Sequence, residues 1–182
     1  MIYKNIIKSI LLLISFFLIT SCSNNNAMKP EDFKNKEPRL IIEEYLSGNV
    51  KAWGVLQNRS GKVTRQFSAD LNGTWDGKQL ILKEKFNWDD GEIQDREWTI
   101  NKIDEHNYEG TAGDVVGKAK GFSYGPAFKF EYILLVPVKG RELKITFDDW
   151  IFKQDDRVAI NRATMTKFGF KVAELTVVFV KD

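Results

Sequence analysis

Along residues 63 to 75 the chain alternates: Val63, Arg65, Phe67, Ala69, Leu71, Gly73 and Trp75 share one side. A period of two predicts a strand with one buried face. Asp76-Gly77 follows as a hairpin signal and leads into a second strand, Gln79 to Trp88. Asp89-Asp90-Gly91 turns the chain again into Glu92 to Lys102, where Trp98 and Ile100 alternate with their neighbours. Tyr108 to Ala112 and Val115 to Ser123 read as short, glycine-rich strands. Ala127 to Val136, Glu142 to Lys153, Val158 to Thr166 and Lys171 to Lys181 complete a series that Lys51 to Asn58 opens. Helical spacing occurs in Leu40 to Leu46, one or two turns closed by Gly48.

About ten strands on short turns, with no crossover helices, predict an all-β antiparallel up-and-down meander. A flat sheet of this kind exposes two edges, so it must close or fold over. Glycines at 110, 113, 117, 121 and 125 are expected at the bends and bulges of a closing sheet. These features favour a lipocalin-like barrel, able to hold one ligand inside, over a two-sheet sandwich.

Residues 1 to 21 follow a different pattern. Lys4 and Lys8 precede an apolar run from Ser9 to Ile19, and Ile19-Thr20-Ser21-Cys22 comes next. That is the layout of a secretory signal, with a run too short to span about 30 Å of hydrocarbon comfortably. A cysteine directly after the small residue resembles a bacterial lipobox. It predicts cleavage before Cys22, acylation there, and stable membrane anchoring by two or three chains. Ser23 stands where an Asp would resemble an inner-membrane retention signal, so the expected location is the outer membrane, facing the periplasm. Residues 22 to 38 are rich in Asn, Lys, Glu and Pro and read as a flexible tether, leaving 39 to 182 as the barrel domain.

Composition narrows the chemistry. The 182 residues carry 27 Lys and Arg against 25 Asp and Glu, and loss of Lys4 and Lys8 leaves 25 against 25. So even a balance offers no electrostatic footprint for nucleic acid. One cysteine and one histidine allow no internal disulfide, no zinc site built on those residue types and no Cys–His pair. Ser60 and His106 both lie in turn-like stretches, and the glycines from 110 to 125 lack the strand-to-helix context of a phosphate loop. No catalytic residue, metal site or cofactor is implied.

Two groups remain as candidate ligand contacts. A turn centred on Asp155-Asp156 places Arg162 opposite Asp149, or opposite Asp148 after a one-residue bulge. One of the two aspartates then looks inward. Arg162 would either clamp a carboxylate or phosphate head group or pair with the aspartate to fix register. Among the aromatics, Trp53, Phe130, Tyr132 and Trp150 are the expected wall, with Phe128, Phe130, Tyr132 and Leu134 on one strand face. Such a lining suits an acyl chain, but a filled core reads the same way and is the commoner outcome.

Several blocks combine into a more specific pattern. Ala52-Trp53-Gly54 leads to Gln57-Asn58-Arg59-Ser60-Gly61-Lys62-Val63, and Tyr108-Glu109-Gly110-Thr111-Ala112-Gly113-Asp114-Val115-Val116-Gly117 follows. Phe147-Asp148-Asp149-Trp150, Ile160-Asn161-Arg162-Ala163, Met165 and Lys167-Phe168-Gly169-Phe170 complete it. In this order, behind a lipobox, the blocks resemble the proteobacterial lipoproteins catalogued as domain-of-unknown-function family 3833, over roughly residues 38 to 181. The resemblance brings no established activity. Members of that family are often encoded beside fatty-acid-modifying enzymes of the cyclopropane-synthase type, which implies a lipid context. The expectation is an anchored, non-enzymatic lipoprotein whose barrel binds a fatty acid or other lipid. One alternative is a packed-core module presenting loops such as Phe168-Gly169-Phe170 to a protein partner. Another is a lipid- or isoprenoid-modifying enzyme using Asp148 or Asp149 with Arg162.

Overall fold

The computed structural model describes residues 27–138 and 140–182. The signal segment, Cys22 and the start of the expected tether lie outside the described residues. Ten strands follow one another: β1 (Gly48–Asn58), β2 (Val63–Trp75), β3 (Gln79–Trp88), β4 (Ile93–Lys102), β5 (Asn107–Thr111), β6 (Ala119–Tyr124), β7 (Ala127–Val138), β8 (Arg141–Lys153), β9 (Val158–Lys167) and β10 (Phe170–Lys181). Each pairs antiparallel with the next, and β1 pairs with β10 from Val50 opposite Lys181 to Asn58 opposite Ala173. The meander read from the alternation is therefore present, and it closes into a barrel without free edges.

Turn chemistry at the hairpins is local. Asp76 Oδ1 accepts from the N–H groups of Lys78 at 2.8 Å and Gln79 at 2.7 Å. Gly77 supplies the left-handed residue, with φ at +98°.

One end is plugged by a single helical turn, α1 (Ile42–Tyr45). Leu40, Ile42 and Leu46 pack with Val50, Leu80, Ile100 and Phe128 in the main core. The Tyr45 hydroxyl donates to the carbonyl of Arg157 at 2.9 Å, tying the plug to the β8–β9 turn. Glu43 is buried among these groups. Burial alone would raise its carboxyl; hydrogen bonds from Lys102 and Tyr108 hold it below its ordinary value. All strands, the closing pair and the plug fall within residues 40–181, so residues 27–182 contain a complete folding unit.

Three expectations need correction. The tether expected through Pro38 is docked from Pro30 onward: Phe33 sits 5.9 Å from the Trp150 ring and 5.5 Å from Phe152. Its partners come from β8, which local composition could not reveal. The strand expected from Val115 starts at Ala119 instead. Residues 112–118 form a loop that runs beside β7, with Leu135 N–H donating to Asp114 O at 2.9 Å and Val116 N–H to Ile133 O at 2.8 Å. The mid-chain glycines do not mark bulges; those lie at Leu56/Gln57 and at Lys171/Ala173. A Cβ on Gly110 would stand 2.4 Å from Phe130 Cζ, and one on Gly121 2.8 Å from Phe128 Cζ. These glycines make room for aromatic rings laid across short strands.

Candidate functional site

Away from the plug the barrel is hollow, with a cavity of about 290 Å³. Alternation decides which side chains reach it. β3 contributes Leu82, Glu84, Phe86 and Trp88; β4 contributes Gln94, Arg96, Trp98 and Ile100. β7 adds Phe128, Phe130, Tyr132 and Leu134, and β8 adds Phe147, Asp149 and Ile151. The aromatics form a connected wall: Trp98 lies 5.1 Å from Phe130 and 5.3 Å from Tyr132, and Tyr132 stacks on Phe147 at 5.0 Å.

A polar belt crosses this apolar lining. Glu84 and Arg96 face each other across β3 and β4, 3.9 Å apart. Arg96 also donates Nε and Nη2 to Asp114 at 3.1 and 2.7 Å, so the guanidinium latches the 112–118 loop over the cavity. Opposite, Asp149 receives the Tyr132 hydroxyl at 2.9 Å and a hydrogen bond from the Asn161 amide. Burial pushes the Glu84 carboxyl up to about 7, against the pull of Arg96 and with a further push from Asp149. Burial likewise raises Asp149 to about 6, although Asn161 and Tyr132 favour its charged form. At the mouth Arg65 donates to Asp90 and Glu92, both at 2.8 Å, and lies 4.0 Å over the Trp88 ring.

Ionic groups in the lining are therefore two guanidiniums, Arg65 and Arg96, and four carboxyls, Glu84, Glu92, Asp114 and Asp149. Each guanidinium already bridges two acids, Arg65 through Nη2 alone with its Nε buried and unpartnered. Carboxyls outnumber guanidiniums in the chamber, so a carboxylate or phosphate entering it competes with acids already held by both cations.

Of the residues singled out in the sequence, Phe130, Tyr132 and Asp149 face the cavity. Arg162 does not. It lies opposite Trp150, while Asp149 lies opposite Ala163, one place from the expected register. Directly opposed residues share a face, so Arg162 and Trp150 both point outward. Trp150 is covered there by Phe33, and Arg162 is exposed. Asp148 is outside as well, 3.5 Å from Lys129. Trp53 is on the outer wall, 50% exposed. His106 stacks on Tyr124 at the plugged end, its Nδ1 donating to Ser123 O at 2.9 Å. Glu84, Arg96 and Asp114 were missed. The signal for the first two was present: Glu84 shares its alternation face with Leu82 and Phe86, and Arg96 with Trp98 and Ile100.

No curated protein matches the chain. The family described as "Protein of unknown function (DUF3833)" matches residues 16–181. Among solved structures, an S-type phycobiliprotein lyase from Guillardia theta is similar at a TM-score of 0.57 and 10% identity, covering 77% of this chain and 90% of that one. A protein of unknown function from the DUF3598 family of Nostoc punctiforme is similar at a TM-score of 0.60 and 14% identity. That match covers 81% of this chain and 51% of the other, so this chain spans about half its length. At such identities the likeness is one of fold.

Proposed function

The chain belongs to the DUF3833 family, and from that premise we propose that it is a membrane-anchored binding protein whose barrel holds one lipid. The cavity carries this reading: about 290 Å³, lined by a connected aromatic wall and crossed by a hydrogen-bonding belt. That size is near the lower end of ligand sites, roughly 300–1,000 Å³, and fits a single acyl chain better than a multi-chain lipid. The polar belt refines the head group. With carboxyls in excess and both guanidiniums engaged, the favoured ligand has an uncharged head that donates and accepts hydrogen bonds, or is a fatty acid in its protonated form. Anchoring at Cys22 and an outer-membrane location, facing the periplasm, are supported by the Ile19-Thr20-Ser21-Cys22 pattern.

Native mass spectrometry of the protein released from its own membrane tests the binding reading. An extra mass that disappears on organic extraction identifies the ligand class. A protein that stays bare after incubation with envelope lipids is a packed scaffold, and the reading fails.

One observation favours a second reading. Glu84 and Asp149 are two raised carboxyls in one chamber, the condition of groups that trade protons near neutral pH. A lipid- or isoprenoid-modifying enzyme would use them as acid and base. In that case Glu84→Gln and Asp149→Asn each abolish turnover of the bound lipid while the lipid still binds.

A further inference from the structure

At the mouth of the barrel, three neighbouring hairpin tips hold apolar side chains in water. Phe168 and Phe170, on either side of Gly169 between β9 and β10, are 88% and 74% exposed. Val63 at the start of β2 and Val138 at the end of β7 are exposed beside them on the adjoining tips. Phe168 also sits at φ +52°, in the left-handed region that bulky L residues avoid. With Gly169 at φ +80° it completes a tight two-residue turn, and a large aromatic placed there in water, away from any core, is available for contact.

Charge says what kind of contact. The same three tips carry Arg59, Lys62, Arg141, Lys167 and Lys171 against Glu142, with Lys171 paired to Glu174 at 3.3 Å and Lys167 Nζ 5.2 Å from the Phe168 ring, so the arc keeps a net positive charge. Across the mouth, Asp90 and Glu92 on the β3–β4 tip are occupied by Arg65. One arc of the rim is thus basic and aromatic. Rings that leave water flanked by ammonium groups that seek phosphate fit the boundary of a bilayer, where tails and headgroups meet.

The geometry points to a membrane contact: the rim formed by the β9–β10, β7–β8 and β1–β2 tips docks on an anionic lipid surface, inserting Phe168 and Phe170 and turning the cavity mouth toward the bilayer. This contact is separate from any that the N-terminal segment makes. The chain arrives at the opposite, plugged end, where Phe33 packs on Trp150 and Phe152 and Leu40 N–H donates to Gly125 O at 2.8 Å. It goes beyond the lipid-binding reading by naming the surface from which a ligand enters, but docking does not require a loaded cavity.

Flotation with vesicles tests it, using the folding unit 27–182, with its β circular dichroism as the check on folding. The unit is expected to float with vesicles of phosphatidylglycerol and phosphatidylcholine in equal parts, and not with phosphatidylcholine alone. Each of Phe168→Ser and Phe170→Ser is expected to weaken partitioning about tenfold. Both side chains are solvent-exposed, so the fold is kept. Lys167→Glu with Lys171→Glu should abolish binding, and added salt should weaken that of the unaltered unit. Equal flotation of the Ser variants, equal binding to neutral vesicles, or no flotation at all overturns the proposal. The last result would leave Phe168 and Phe170 to a protein partner. A ligand-stripped unit that still floats keeps this result independent of the mass-spectrometric test above.

Discussion

Tyr132 on β7 donates its hydroxyl to Asp149 on the adjacent strand β8, on the inner face of the barrel, at 2.9 Å. The two are diagonal neighbours, since Tyr132 lies opposite Phe147. The hydroxyl satisfies one carboxylate oxygen in a place where solvent reaches little, and the phenol itself is held well above its ordinary value, first by burial and then by the Asp149 charge. Asp149 and Glu84 are the raised carboxyls through which a rise in pH weakens this fold.

Both carboxyls are raised, so each binds a proton in the folded chain at pH values where the unfolded chain has lost it. Stability then falls as pH rises, from about 4 to about 6 for Asp149 and from about 4.5 to about 7 for Glu84. Each contributes a decline on the order of 3 kcal/mol across its window. Turn aspartates such as Asp76 and Asp155, held low by backbone N–H groups, act in the opposite sense and only at more acid pH. Urea midpoints should therefore be lower at pH 8 than at pH 5. Asp149→Asn and Glu84→Gln should each flatten the slope, and an unchanged slope in both variants would refute the assignment.

Gly110 should tolerate no side chain while Phe130 is present. A Cβ there stands 2.4 Å from the ring, so Gly110→Ala is expected to cost about 1–3 kcal/mol by overpacking. Phe130→Leu in the same chain should recover part of that loss. A double-mutant cycle by chemical denaturation is expected to return a coupling above about 0.5 kcal/mol; simple additivity would show that the ring does not depend on the glycine.

The two arginines should separate sharply. Arg162→Ala removes an exposed side chain and should change stability by less than about 0.5 kcal/mol. Arg96→Ala strands Glu84 and Asp114, and should cost about 3 kcal/mol or more. It should also free the 112–118 loop, seen as faster hydrogen exchange at the Leu135 and Val116 amides. Equal effects of the two substitutions would contradict the described charge network.

Head-group preference follows from the same charges. At pH 8 a long-chain alcohol or monoglyceride should displace a fluorescent probe from the cavity better than the fatty acid of equal length. At pH 5, with Glu84 and Asp149 protonated, the difference should shrink. A fatty acid that binds best at pH 8 would mean that one of the guanidiniums leaves its acids for the ligand.

Strand content was legible because period-two alternation and turn residues are local: β3 was bounded at Gln79 and Trp88 in the sequence and in the fold. Register was not. The β8–β9 pairing depends on one residue in the turn, and that single place decides whether Arg162 meets Asp149 or Trp150. The inward set could still be found by following each strand's own alternation. Tyr132 and Phe130 follow from Phe128 in this way; Arg96 follows from Trp98, and Glu84 from Leu82. What no local pattern contained was Asp114, brought to Arg96 by a loop that substitutes for a strand, and Phe33, whose partners lie more than a hundred residues away.

The β1–β10 seam imposes an order in time. β1 takes its second neighbour from residues 115 to 131 positions later in the chain, from Asn58 opposite Ala173 to Val50 opposite Lys181, a closure that is slow for any polypeptide made from one end. Until Phe170–Lys181 has been delivered, the flank of β1 is an open template for other strands and for proteases. The interior chamber is thus enclosed only once β10 has paired with β1, so every truncation short of β10 leaves it open along one side.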